Sequence, residues 1–153
     1  MKLEDVIKSE FPLPLPKKTV LNILYTHNAI TEKFIEVLRP FDISGEQFNV
    51  LRILRGQKGS PVNMCTIQER MVAKTSNTTR LVDKLLVKGL VTREVCPANR
   101  RKMEVQITEK GLELLERLDP KVDAHEQQFV CGFDETELQQ LNDLLEKFRS
   151  NKI

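Results

Sequence analysis

The 153-residue sequence predicts a mainly α-helical chain with a small two-stranded β-ribbon. Three observations predict it. Apolar residues recur at helical spacing along most of the chain. The period drops from 3.6 to 2 only between Val91 and Ile107. Four helix starts share one chemistry, a hydrogen-bonding cap residue between two apolar side chains. A composition of 40% hydrophobic and 30% charged residues suits one globular unit and not a disordered chain.

The segment Phe11-Pro-Leu-Pro-Leu-Pro16 is predicted to be an extended N-terminal arm, because alternating prolines remove donors and restrict the residues before them. A helix follows over about 17–38, where Leu21, Leu24, Tyr25, Asn28, Ile35 and Leu38 form one broad, mostly apolar face, and Pro40 ends it. Ser44 caps the next helix, with Gln47 completing a capping box and Ile43 and Phe48 forming the staple; Gly56 stops it. Asn63 caps a short helix that ends near Met71, with Val62 set against Ile67.

Thr75 to Lys88 is predicted to be a helix stopped by Gly89, with Thr78, Leu81, Val82, Leu85 and Leu86 on its buried side and Thr75 and Ser76 as candidate caps. Val91, Arg93 and Val95 then alternate with Thr92 and Glu94, and Met103, Val105 and Ile107 with Glu104 and Gln106. These are two strands of a hairpin with a basic tip over 96–102. Thr108 opens a long helix with Ile107 and Leu112 as staple, which Pro120 should kink or interrupt. Phe133-Asp-Glu-Thr-Glu-Leu138 opens the last helix with both box and staple. Residues 44–108, a tight helix pair followed by a β-ribbon, read as a winged helix-turn-helix.

The composition excludes several classes. No apolar run approaches the roughly 18–20 residues that span a bilayer, and no secretory signal is visible. Cys65, Cys96 and Cys131 match neither a disulfide framework nor a zinc pattern, so a reducing, cytoplasmic setting is expected, without metal or cofactor. His27 and His125 belong to no catalytic cluster, and no nucleophile elbow or phosphate-binding glycine loop is present, so an enzyme is not expected.

The net charge of +2 conceals an uneven distribution. Residues 61–111 hold ten Lys/Arg against five Asp/Glu, a net of +5, and the remainder holds fourteen against seventeen, a net of −3. Within the basic third, Lys74-Thr-Ser-Asn-Thr-Thr-Arg80 combines short hydrogen-bonding side chains with two cations at a helix start. That is what entry into a major groove requires: no bulky side chain obstructs approach, and the helix N-terminus favours anions. Lys74, Thr75, Ser76, Asn77, Thr79, Arg80 and Lys84 are the candidate DNA contacts on the helix, and Arg100, Arg101 and Lys102 those on the hairpin tip.

These residues resemble a known family. Ser76-Asn-Thr-Thr-Arg-Leu-Val-Asp-Lys-Leu85, Lys88-Gly-Leu-Val-Thr-Arg93, Asn99-Arg-Arg101 and Ile107-Thr-Glu-Lys-Gly111 are similar to the multiple-antibiotic-resistance regulator (MarR) family. The resemblance implies a homodimeric winged-helix transcription factor with Thr75 to Lys84 as recognition helix and Arg101 as the minor-groove wing residue. It also implies interlocked terminal helices and, in many members, release from DNA by a small phenolic or lipophilic ligand or by cysteine oxidation. One departure is Asn99, where the family usually has an aspartate that orients the wing arginine. No cysteine precedes Cys65, whereas the family's peroxide sensors carry theirs near the N-terminus.

The expected organisation is therefore an arm and dimerisation helix over 1–40, a DNA-binding unit over 41–108 and dimerisation helices over 109–153. Leu21, Leu138, Leu141, Leu144, Leu145 and Phe148 are the candidate dimer contacts. Tyr25, His27, Phe48 and Arg52 are candidate lining residues of an effector pocket for a small aromatic or lipophilic molecule. The expected function is a sequence-specific regulator of double-stranded DNA with a palindromic operator, a repressor relieved by its effector. The alternative is a winged-helix protein–protein adaptor.

Overall fold

A computed structural model describes residues 2–99 and 102–150. The described residues form α1 (Leu3–Val6), α2 (Leu15–Leu38), a 3₁₀ turn (Arg39–Phe41), α3 (Gly45–Arg55), β1 (Val62–Asn63), α4 (Met64–Arg70), α5 (Thr78–Val87), β2 (Val91–Val95), β3 (Met103–Ile107), α6 (Glu109–Val130) and α7 (Glu135–Ser150). This is the expected mainly helical winged helix-turn-helix. The sheet has one more strand than expected. β1 pairs antiparallel with β3, with Val62 opposite Val105, and β3 pairs with β2 in the order β1-β3-β2. Two residues are too few to carry a readable alternation, so β1 exists only because β3 offers it a free edge.

The shared cap chemistry is observed at each of the four starts. Ser44 Oγ accepts from Gln47 N at 3.2 Å while Ser44 N donates to Gln47 Oε1 at 2.9 Å. Asn63 Oδ1 accepts from Thr66 N at 2.9 Å, and Thr108 Oγ1 from Gly111 N at 3.2 Å. Asp134 and Glu137 close a second reciprocal box at 2.8 and 3.0 Å. The Thr108 start lacks its packed staple, because Leu112 is exposed and only Ile107 is partly buried.

Four boundaries differ from expectation. A short α1 precedes the proline arm, held where Lys18 of α2 pairs with Glu4 at 2.8 Å. α2 begins at Leu15, with Pro16 in the first turn, where its missing N–H has no intrahelical acceptor to lose. α5 begins at Thr78, three residues later than expected, because Asn77 is the cap in place of Thr75 or Ser76; its Oδ1 accepts from Arg80 N at 3.0 Å. α6 runs unbroken through Pro120. Leu115, Leu118 and Val122 are buried on either side of the proline, and Asp119 is gripped by Arg55 of α3 through two bonds of 2.6 and 3.0 Å. Tertiary packing there outweighs the one helical hydrogen bond that proline removes.

The core lies where α3, α5 and α6 meet the sheet. Val50, Leu51, Leu54, Ile67, Val82, Leu85, Val105, Leu115 and Leu118 are almost wholly excluded from solvent. α5 turns into β2 through Gly89 at φ +68°, a left-handed position that suits glycine. Leu90 and Val91 then enter the core at once. No helix among the described residues is long and apolar enough to cross a membrane.

Candidate nucleic-acid interface

α5 is amphipathic, and its two faces have separate tasks. Thr78, Val82 and Leu85 are buried, Leu81 and Leu86 are packed against the core, and Thr79, Arg80, Asp83 and Lys84 are exposed. The helix is therefore held by one side and presents the other. Before it, Lys74, Thr75 and Asn77 are exposed and Ser76 is half-buried, in a turn closed by Ser76 N donating to Ala73 O at 3.1 Å. Asn77 is partly committed, since its oxygen serves the helix cap and its amide nitrogen remains as donor.

Two further contacts orient this helix. Gln68 of α4 donates to Lys74 O at 2.7 Å, and its Oε1 accepts from the Thr78 hydroxyl. Arg93 of β2 pairs with Asp83 of α5 at 2.6 Å. The pair neutralises the acidic side chain of α5 and leaves Arg80 and Lys84 to set the sign of its outer face.

The hairpin carries one described cation at its tip, Lys102. Cys96 N donates to Lys102 O at 2.9 Å and Lys102 N to Asn99 O at 2.8 Å, so Lys102 leaves the tip exposed. Arg100 and Arg101, also expected at the tip, lie outside the described residues.

A cleft of about 340 Å³ adjoins this unit, between α2, α3, α6 and the segment after α4. Of the four candidate lining residues, Phe48 and Arg52 border it. Tyr25 and His27 do not; both are exposed on α2, and the cleft opens further along that helix at Ile30, Thr31 and Phe34. Phe34 lies nine residues beyond Tyr25, which at 1.5 Å per residue is roughly 13 Å along the axis. Phe34, Met71 and His125 are lining residues that the sequence reading missed. His125 is buried and stacks on Phe34 with ring centroids 5.5 Å apart, while Phe34 meets Phe48 edge-on, also at 5.5 Å. A signal existed, since His125 follows Leu118 and Val122 in helical phase on the buried face of α6.

The candidate dimer residues are not absorbed into the core. Leu21, Leu138 and Leu145 are half-buried, and Leu141, Leu144 and Phe148 are exposed, Leu144 by 63%. α2 likewise exposes Val20, Leu24, Tyr25 and Ile35. The three cysteines are free thiols, with Cys65 and Cys131 exposed and Cys96 half-buried.

Comparison with known proteins agrees with this geometry. A model of the MarR family matches residues 43–103, from the head of α3 to the start of β3. The chain is 30% identical over 120 residues to the HTH-type transcriptional repressor IacR of Pseudomonas putida, across 78% of this chain and 71% of that protein. A solved MarR-like transcription regulator from Bacillus cereus ATCC 10987 is 25% identical with a TM-score of 0.79, over 90% of this chain and 98% of that one. Bordetella bronchiseptica BpsR, whose DNA binding is regulated by 6-hydroxynicotinic acid, shares the fold at 20% identity with a TM-score of 0.80, over 93% of this chain and 100% of that one. With its tight helix pair, β-wing and flanking helices, the chain belongs to the MarR family of winged-helix transcriptional regulators.

Proposed function

We propose that the chain acts as a homodimer on a palindromic DNA duplex, repressing transcription until a small aromatic or lipophilic effector releases it. The observation that carries this reading is the outer face of α5, where Thr79, Arg80 and Lys84 are exposed and the acidic Asp83 is neutralised by Arg93. In a major groove Arg80 reaches guanine or phosphate, Thr79 meets a thymine methyl or phosphate, and Lys74 and Lys84 serve the phosphates. Lys102, with Arg100 and Arg101, supplies the wing for the neighbouring minor groove.

Two recognition helices about 34 Å apart would enter successive major grooves on one side of a duplex. The apolar stripes on α2 and α7, including Leu24, Leu141, Leu144 and Phe148, provide a surface for such a pairing. The cleft beside Phe34, Phe48 and His125 suits an aromatic ring, and Arg52 supplies a cation at its wall. The repressor name of the Pseudomonas putida relative and the ligand response of BpsR support the same reading.

Selection of bound sequences from random duplexes, repeated with a panel of small aromatic acids, tests it. A palindromic consensus is expected, with a member of the panel weakening binding. If each dimer touches about 6–10 phosphates, affinity falls roughly 10³–10⁵-fold between 50 and 200 mM salt. Failure to enrich any duplex would sink the DNA reading and turn attention to a protein partner for α5.

A further inference from the structure

The segment 71–77 joins the cleft to the outer face of α5 and has no regular structure of its own. Met71, Val72 and Ala73 line the cleft, and Lys74 to Asn77 lead directly into α5. Side chains hold this strap at both ends, and between them the Lys74 ammonium donates back to Glu69 O of α4. At its far end Gln68 engages Lys74 O and the Thr78 hydroxyl. At its near end Val72 N donates to Asn49 Oδ1 of α3 at 2.9 Å. Apart from Met71, which is buried, the strap has little apolar anchorage; Val72 itself is 86% exposed.

Asn49 is an unusual choice for its place. It lies inside an eleven-residue helix whose neighbouring residues Phe48, Val50 and Leu51 are all buried. Asparagine is a poor helix former, since its amide competes for backbone hydrogen bonds. Here that amide satisfies a donor on a different segment, and it does so in the wall of the cleft.

We propose that Asn49 is a positioning residue for DNA recognition: its carboxamide oxygen latches the strap at Val72 and so fixes where Asn77, Thr79 and Arg80 stand. This rests on the DNA and effector reading above and adds the regulation of that site. An occupant of the cleft that engages Asn49 competes for the acceptor that Val72 uses. The strap then loosens at the end nearest the ligand, and the lead-in to α5 loses a side-chain restraint while the helix keeps its core packing and its Arg93 pair. Freed from a single pose, its outer face binds DNA less tightly because ordering must be repeated on each encounter.

The test compares wild type, Asn49→Ala and Asn49→Asp by three readouts: affinity for the selected duplex, hydrogen exchange at the Val72 amide, and the urea midpoint. Asn49→Ala removes the acceptor but improves helix propensity, so the urea midpoint should hold. Its Val72 amide should exchange faster and its DNA affinity should fall about tenfold, the scale of one lost hydrogen bond. Asn49→Asp keeps an acceptor oxygen and should restore both. The latch is overturned if Asn49→Ala binds DNA as wild type does, if its affinity falls only in step with global stability, or if Asn49→Asp loses as much. A wild-type protein that selects no duplex would defeat the DNA reading instead. In that event an unchanged Val72 exchange rate in Asn49→Ala would separately remove the latch.

Discussion

Arg93 Nη1 lies 2.6 Å from Asp83 Oδ1, joining the first wing strand to the middle of α5. Both side chains keep solvent access, so the pair contributes less than about 1 kcal/mol to folding. Its larger effect concerns orientation and charge. Arg93→Ala should leave the thermal midpoint nearly unchanged while weakening DNA binding several-fold, as fluorescence anisotropy would measure. Equal affinities for variant and wild type would show that the wing does not depend on this pair.

Asn77 has two separable tasks. Its oxygen caps α5 through the Arg80 amide, and its exposed amide faces outward. Asn77→Ala should cost about 1 kcal/mol of stability by loss of the cap. Asn77→Asp retains the cap and should keep stability, yet should weaken DNA binding through its negative charge. Denaturation and binding curves for the two variants check the separation; parallel losses in both would disprove it.

Gly111 packs α6 tightly against the root of the wing. A β-carbon there would collide with Leu90 O and stand 2.7 Å from Ile107 Cγ1. Gly111→Ala gains about 1 kcal/mol of helix propensity but must displace backbone, which typically costs about 1–3 kcal/mol. The net prediction is a lower urea midpoint. A raised midpoint would mean that the wing root yields more readily than its packing implies.

Leu144 is the most exposed leucine of α7 and shares its stripe with Leu141 and Phe148. Leu144→Glu places a charge in the proposed dimer seam. Sedimentation should show a shift from dimer to monomer, with weaker DNA binding as the two recognition helices lose their fixed spacing. A variant that sediments as wild type would remove α7 from the interface.

Glu4 is held below the usual carboxylate range by the hydrogen bond from Lys18, with help from backbone donors. A depressed carboxylate stabilises docking fully above its unfolded pKa, and the contribution is lost as pH falls through the lower folded value. α1 should therefore stay docked on α2 at neutral pH and loosen on acidification below the ordinary Glu range. Amide exchange at Leu3 to Val6 would report it. Glu4→Gln should loosen α1 at neutral pH and remove the pH dependence; an unaltered acid response would assign it to other groups.

Contacts between near neighbours in the chain are legible from the amino-acid order alone. Caps at Ser44, Asn63, Thr108 and Asp134 are contacts between residues three apart, so four helix starts were readable without a fold. The outer face of α5 was readable for the same reason, since Arg80 and Lys84 fall out of phase with Val82 and Leu85. Features that rest on distant partners emerge only in the folded chain. β1 needs the edge of β3, where Val62 pairs with Val105, and α6 passes Pro120 because Arg55 and the core hold it. The cleft assembles Phe34, Phe48, Met71 and His125 from four parts of the chain, and Asn49 meets Val72 from another helix. Local chemistry is written in spacing, whereas these contacts arise when packing brings remote residues within a few ångströms.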